Sequence, residues 1–324
     1  MRRSAIVTAA TALAAALFLA GCSDDAEPEP TDTSTESATD APDATDDATG
    51  EDATQPPGNA PEDVAALEAI TVEGEPGAEP TLTFEQPLNV GAVAAAVAAP
   101  GDGATLEEGQ LLLIDFIQVN GENGEVLDST YGAGLQPLLI GDETVEALND
   151  VLVGEQVGAR VLFATPTQGP AAIMAIEVRE AVSPRAVGEA VELPEGLPAV
   201  TVAENGEPSI EPAAGDAPTE LVTAATIEGE GKAVEEGDQV FAQYSGWLWD
   251  GTQFDSSWDT QIPLSFEVGA GQLIPGWDTG IVGHTVGSQV VFVIPPDLGY
   301  GDEDNGPIPG GSTLVFVVDI LYAG

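Results

Sequence analysis

The stretch Val240-Phe-Ala-Gln-Tyr244 opens the part of the chain that decides the fold. It is an apolar run of alternating character, which is typical of a half-buried β-strand. Asp250-Gly251 then supplies a tight turn, because glycine accepts the positive φ that a short hairpin requires. The chain returns through Phe254-Asp-Ser-Ser257, so these residues together predict a β-hairpin.

Two longer apolar runs and one helical segment follow the hairpin. Val290–Ile294 and Thr313–Leu321 are rich in β-branched and aromatic residues, which predicts two central strands. Before them, Gly271–Ile281 is long enough for a few helical turns, with Trp277 and Ile281 on one face. The predicted fold is α+β, a twisted antiparallel sheet that curls around one short helix.

A recurring set of short blocks in this region resembles a known family. Residues 244–257 read Tyr-x-Gly-x-Leu-x-Asp-Gly-x-x-Phe-Asp-Ser-Ser, as in the FKBP-type peptidyl-prolyl cis/trans isomerases. Further blocks recur in the family's order and spacing: Leu273-Ile-Pro-Gly-Trp277, Pro296-Asp-Leu-Gly-Tyr-Gly301, and Ile308-Pro309 followed by Thr313-Leu-Val-Phe316. The resemblance implies isomerisation of X-Pro bonds in proline-containing polypeptides, without a cofactor.

The resemblance also implies a role for each residue of the site. Trp277 would form a floor under the proline ring, and the walls would be Tyr244, Phe254, Leu264, Leu273, Ile274 and Phe316. Leu264 stands where the family usually has an aromatic residue. The Ile274 backbone N–H and the Tyr300 hydroxyl would hold substrate carbonyls, Asp255 would meet the polar edge of the twisted amide, and Ile308 would close one side.

The composition excludes several other functions. The 324 residues include 56 Asp and Glu but six Lys and Arg, for a net charge of −50. Nucleic acid is excluded as a partner, because its phosphates would be repelled and no basic patch could release counterions. His284 is the one histidine and Cys22 the one cysteine, so no catalytic triad, transition-metal site or internal disulfide is expected. We expect a monomer.

The first 63 residues predict export and attachment to a membrane. Met1-Arg-Arg3 and the short apolar core Ala5–Ala20 are typical of a secretory signal peptide, here residues 1–21. Leu19-Ala-Gly-Cys22 resembles the lipobox of bacterial lipoproteins, so Cys22 is expected to be lipidated and to anchor the chain to the outer face of the membrane. Residues 22–63 are acidic and lack aromatics, which predicts a disordered linker.

Residues 64–182 look like an earlier copy of residues 199–324, with 183–198 as a linker between them. Val161-Leu-Phe-Ala-Thr-Pro166 matches Val290-Val-Phe-Val-Ile-Pro295, for example. The earlier copy lacks most of the aromatic residues of the site: Phe116 stands for Tyr244, Leu127 for Phe254, Leu148 for Trp277 and Met174 for Phe316, and no tyrosine matches Tyr300. We therefore expect two tandem FKBP-like domains, the first of them degenerate.

Three functions remain open on the sequence alone. The favoured one is an isomerase that assists the folding of exported proteins. The second is a binding module or holdase chaperone, in which both domains grip apolar segments and turnover is incidental. The third is a purely structural surface lipoprotein, with neither activity.

Overall fold

The computed structural model describes residues 58–141 and 144–324. The expected signal peptide, the lipidated Cys22 and most of the acidic linker lie outside these residues. The helices are α1 Pro61–Glu68, α2 Glu146–Leu152 and α3 Pro275–Gly280, with one 3-10 turn at Pro296–Leu298. None of the helices in the described ranges is both long enough and apolar enough to cross a bilayer.

Seventeen strands in these ranges make up most of the structure. The first eight are β1 Thr71–Glu73, β2 Thr81–Thr83, β3 Ala94–Ala99, β4 Leu111–Asn120, β5 Val126–Ser129, β6 Gln136–Leu139, β7 Arg160–Thr165 and β8 Ala172–Val182. The other nine are β9 Glu189–Ala190, β10 Ala199–Val202, β11 Pro208–Glu211, β12 Val222–Glu228, β13 Gln239–Leu248, β14 Gln253–Ser256, β15 Leu264–Glu267, β16 Gln289–Ile294 and β17 Leu314–Ala323. The predicted hairpin and central strands are confirmed as β13, β14, β16 and β17.

The strands form two antiparallel sheets that share one strand order, except that the second sheet has the additional edge strand β9. The first sheet has the order β3-β7-β8-β4-β5, with β6 also paired to β4. The second has the order β9-β12-β16-β17-β13-β14, with β15 also paired to β13. A small separate hairpin lies before β3 of the first sheet, β1-β2, and another lies between β9 and β12 of the second, β10-β11. The fold is therefore β-rich with antiparallel sheets and few helices, as predicted.

Helix α3 packs against one face of the second sheet and forms the main core there. Pro275 occupies the first turn, where its missing N–H leaves no hydrogen bond unmade. Gly276 faces β16 so closely that an added Cβ would lie 2.5 Å from the Ile294 side chain. Trp277 and Ile281 are both buried in this core, so the expected apolar face of the helix is confirmed.

Two boundaries inferred from the sequence are corrected. The acidic linker was expected to run to residue 63, but helix α1 begins at Pro61, and the buried Asp63 carboxylate accepts the N–H groups of Gly91 and Ala92 at 2.9 and 3.0 Å. Residues 183–198 were expected to be a linker, yet they include β9, which pairs with β12. The Pro, Glu and Ala content of residues 183–198 is typical of a linker, but the backbone of β9 forms its hydrogen bonds with β12, which is distant in sequence.

A buried carboxylate on the central strand β17 also holds this segment. The Ala186 N–H donates to Asp319 Oδ2 at 2.7 Å, and Gln289 Nε2 donates to Asp319 Oδ1 at 2.8 Å. Asp319 is 2% exposed, and its burial raises the pKa from 3.8 to about 6, against the lowering effect of these hydrogen bonds and of Arg185.

We expect Asp319 to make stability depend on pH. The folded chain holds the Asp319 proton more tightly than the unfolded chain, so this contribution is complete below pH 4 and is lost as the pH rises through about 6. Relative to Asp319→Asn, the wild type should lose up to about 3 kcal/mol of unfolding free energy between pH 4 and pH 7. Urea unfolding of both proteins at several pH values measures this loss. A difference in unfolding free energy that stays constant with pH would contradict the raised pKa of Asp319.

The first sheet carries a buried ion pair at the corresponding position. Arg160 pairs across the strands with Glu177, as Gln289 pairs with Asp319. Glu177 Oε2 accepts Arg160 Nε and Nη2 at 2.9 and 2.8 Å, and Glu177 Oε1 accepts the N–H of Gly77 at 2.6 Å. The guanidinium also donates to two carbonyls of the β1-β2 turn, so the network ties that hairpin to the sheet.

Candidate functional site

A cavity of about 400 Å³ opens beside helix α3 of the second sheet. This volume lies within the range of about 300–1,000 Å³ that is usual for ligand sites. Nine of its lining residues were predicted: Tyr244, Phe254, Asp255, Leu264, Leu273, Ile274, Trp277, Tyr300 and Phe316. The lining is mainly apolar, and Asp255 is its one charged side chain, so the cavity suits an apolar group with a polar edge.

Trp277 lies at the centre of a cluster of aromatic rings. Its ring centroid is 5.5 Å from that of Tyr244 and 5.3 Å from that of Phe316, in nearly perpendicular arrangements. Phe266 and Phe292 contact it in the same way from the core, at 5.7 and 5.6 Å. Edge-to-face pairs of this kind are favourable and hold each ring in one orientation. Trp277 is only 3% exposed, so it forms a fixed base for the cavity.

Gly246 on strand β13 is needed for two of the walls to meet. The Phe254 and Phe316 rings lie edge to face with centroids 5.5 Å apart. Both rings cover the backbone of Gly246, where an added Cβ would lie 2.8 Å from each. A side chain at this position would therefore separate the rings, which explains why the motif has glycine two residues after Tyr244.

Asp255 and Tyr244 form a direct polar contact at the edge of the cavity. The Tyr244 hydroxyl donates to Asp255 Oδ2 at 2.6 Å, and the Ser256 N–H donates to Asp255 Oδ1 at 2.9 Å. Burial raises the pKa of Tyr244 well above its usual value, and the hydrogen bond to Asp255 raises it further. The tyrosine therefore remains a neutral donor at physiological pH, and the carboxylate is held with its oxygens in fixed positions.

Tyr300 and the segment before α3 supply the remaining polar groups. Tyr300 is 41% exposed, and its pKa is raised by partial burial and then by the charge of Asp255. Its hydroxyl makes no hydrogen bond within the described residues, and neither does the Ile274 backbone N–H. Both groups are therefore available to a ligand.

The structure differs from the sequence prediction at three residues. Ile308, expected to close one side, is 5% exposed in the core and does not line the cavity. Within its loop, an isolated bridge joins Ile308 to Asn305. Gln272 and Pro275 line the cavity but were not predicted. Pro275 lies within the Leu273–Trp277 block and Gln272 directly precedes it, which was the signal that could have identified them.

The corresponding place on the first sheet has different side chains. In the second sheet Gly246 pairs with Asp255 and Phe316, and in the first sheet Gln118 pairs in the same way with Asp128 and Met174. The buried Leu148 lies on α2, and Leu127 on β5 is 54% exposed. The cluster of rings seen around Trp277 thus has no equivalent set of aromatic residues at these positions.

The family model described as FKBP-type peptidyl-prolyl cis-trans isomerase matches residues 230–321, which include every residue that lines the cavity. An "FK506-binding protein" from Streptomyces anulatus is 38% identical over 118 residues, which are 36% of this chain and 95% of that protein. The chain belongs to the FKBP-type peptidyl-prolyl cis-trans isomerase family.

Other relatives match the same FKBP segment. "FK506-binding protein 2" from Gibberella zeae is 50% identical over 91 residues, and "Peptidyl-prolyl cis-trans isomerase FKBP15-1" from Arabidopsis thaliana is 48% identical over 87 residues. The matches cover 28% and 26% of this chain. The chain spans about half the length of these relatives, 47% and 57%. The likeness thus concerns the FKBP segment and not the whole of either protein.

Proposed function

We propose that the cavity of the second sheet catalyses cis/trans isomerisation of X-Pro bonds in polypeptides. The observation that carries the proposal is the cluster of rings around Trp277, with Asp255 as the one charged side chain beside it. The cavity is of a size for a proline ring and its neighbours. A relative that bears the name of a peptidyl-prolyl cis-trans isomerase supports the same activity.

The chemistry requires no nucleophile. Rotation about an X-Pro bond has a barrier of roughly 18–20 kcal/mol, because amide resonance must be lost. Water stabilises the charge separation of the planar amide, so an apolar cavity that excludes water favours the twisted and less polar form. Trp277 would support the proline ring, and the free Ile274 N–H and Tyr300 hydroxyl would hold carbonyls on either side. Asp255, oriented by Tyr244, would face the twisted amide.

Isomerase activity of the full chain, and its loss when Asp255 is replaced, test the proposal. We expect the full chain to speed the cis/trans relaxation of an X-Pro peptide, and Asp255→Ala to lower kcat/KM by about tenfold or more, since an interaction made in the transition state is lost. Asp259→Ala, which also removes an exposed acidic side chain, should retain the parent rate. Stopped-flow measurement of peptide isomerisation gives the rates.

The same variants separate the isomerase from a holdase chaperone. A holdase would suppress the aggregation of an unfolded protein equally well in the parent and in Asp255→Ala, and neither would accelerate isomerisation. That pair of results would contradict catalysis. A purely structural lipoprotein would show neither activity.

We infer, further, that the chain has two tandem FKBP-like domains and that the first is degenerate. The matching strand order β3-β7-β8-β4-β5 and β12-β16-β17-β13-β14 supports this, as does the separate hairpin that lies before β3 and before β12. Without the aromatic cluster, the first domain serves as a spacer or a weak polypeptide binder.

The place of action is proposed from the sequence. The charged start, the apolar core and the Leu19-Ala-Gly-Cys22 ending support export and lipidation at Cys22. A lipid-anchored isomerase at the outer face of a bacterial membrane would act on newly exported chains. Uncatalysed prolyl isomerisation takes tens to hundreds of seconds, which is slow enough to limit their folding.

A further inference from the structure

The loop between β15 and α3 carries much of the cavity wall. Gln272, Leu273 and Ile274 belong to it, and all three line the cavity. Gly269 and Gly271, earlier in the loop, have φ of 80° and 67°. Glycine has little preference among such conformations, so this loop needs contacts from elsewhere to hold one shape.

Asp278 on α3 supplies those contacts. Its Oδ1 accepts the Gly269 N–H at 3.1 Å, and its Oδ2 accepts the Gly271 N–H at 3.2 Å. Each carboxylate oxygen thus accepts one hydrogen bond from the loop, and the two donor amides are two residues apart in the chain. Hydrogen bonds to a charged acceptor are stronger than those between neutral groups. The loop is therefore attached to the helix by a single carboxylate.

These two amides have no alternative partner in the described part of the chain. Between them, the Ala270 N–H donates to the carbonyl of Glu267, the last residue of β15, at 3.3 Å. The Glu267 N–H donates to Gln272 Oε1, also at 3.3 Å, so these two contacts join the loop to β15 and not to the helix. Asp278 is the group that connects the loop to the helix.

Asp278 also connects the loop to the base of the cavity. It directly follows Trp277, whose ring is held by its aromatic neighbours. A loop attached at Asp278 is therefore positioned relative to the Trp277 ring. Leu273 and Ile274, which line the cavity, take their places from that attachment.

We propose that Asp278 is a positioning residue, whose carboxylate holds the loop so that Leu273 and Ile274 are placed to bind the substrate. This inference rests on the proposed isomerase function. Asp278 does not line the cavity, so it acts through the loop and not on the substrate. Loss of the Asp278 carboxylate should weaken substrate binding more than it slows the isomerisation of the bound substrate.

The test compares Asp278→Asn with the parent in the full chain, with an X-Pro peptide as the probe. Asparagine keeps the size but has one acceptor oxygen, and its amide group would face an N–H donor. We expect KM to rise about fivefold to tenfold, as for the loss of one charged hydrogen bond, with kcat within about twofold of the parent. Asp278→Glu, which keeps the carboxylate, should restore part of the affinity.

Asp259→Asn is the matched control, because it removes one negative charge from an exposed aspartate whose side chain makes no hydrogen bond in the described residues. It should leave KM unchanged. Hydrogen exchange gives a readout independent of turnover: the Gly269 and Gly271 amides should exchange faster in Asp278→Asn than in the parent.

The outcomes distinguish this inference from the function on which it rests. An active parent with an unchanged KM in Asp278→Asn would overturn the positioning role and leave the isomerase proposal standing. A fall in kcat alone would also overturn it, since the role is in binding. An inactive parent would overturn the isomerase proposal and, with it, this role.

Discussion

Replacement of Trp277 by alanine is expected to lower the free energy of unfolding by about 3–5 kcal/mol and to abolish measurable isomerisation. The indole is 3% exposed and contacts four rings, so its removal leaves a cavity that the second sheet cannot close. Urea unfolding and peptide isomerisation measure the two effects. Unfolding free energy within 1 kcal/mol of the parent would contradict the packing described.

In Trp277→Ala, activity could fall because the protein unfolds or because the cavity lacks its floor, and the two causes must be separated. Trp277→Leu provides this control, because it introduces the side chain that stands at Leu148 on α2 of the first sheet, where it is buried. We expect this variant to remain folded with a smaller loss of stability. Its isomerase activity should still fall sharply, since leucine gives no flat surface for a proline ring. Parental activity in a folded Trp277→Leu would remove Trp277 from the mechanism.

Replacement of Glu177 by alanine is the second change expected to have a large effect, a loss of about 3–5 kcal/mol in unfolding free energy. Glu177 is 3% exposed and accepts hydrogen bonds from Arg160, Tyr131 and Gly77. Its removal would leave the buried Arg160 guanidinium without a carboxylate. Breaking one side of a buried pair is costly because the remaining charge is uncompensated.

Circular dichroism during urea unfolding measures this loss. All four tryptophans, at 247, 249, 258 and 277, are in the second sheet, its loops or helix α3, so their fluorescence reports that part separately. The double variant Arg160→Met, Glu177→Leu serves as the control, because it removes both charges. We expect it to recover most of the stability. Equal losses in the single and double variants would show that packing, and not the unpaired charge, is responsible.

The strands β13, β14, β16 and β17 and nine residues of the cavity could be predicted from the sequence because local patterns specify them. The Val290–Ile294 run is buried on both faces, as a continuous apolar run requires, and it became the central strand β16. The motif residues between Tyr244 and Phe316 converge on one cavity because their spacing follows the strands and the helix.

The features that could not be predicted depend on partners distant in the chain. Residues 189 and 190 form a strand only because β12 offers them an edge. Ile308 looks like a wall residue in the sequence, yet the local bridge to Asn305 accompanies its burial in the core. Asp278 could not be recognised as an acceptor for the Gly269 and Gly271 amides, because nothing in the sequence pattern shows how the glycine loop turns back to the helix.

We propose that the aromatic cavity around Trp277 interconverts the cis and trans forms of X-Pro bonds. Exchange spectroscopy by NMR tests this activity most directly, on a proline peptide mixed with a small fraction of the full chain. We expect exchange cross-peaks between the cis and trans proline signals, and their loss with Trp277→Leu. Peptide binding without exchange in the parent, or unchanged exchange in the variant, would contradict it.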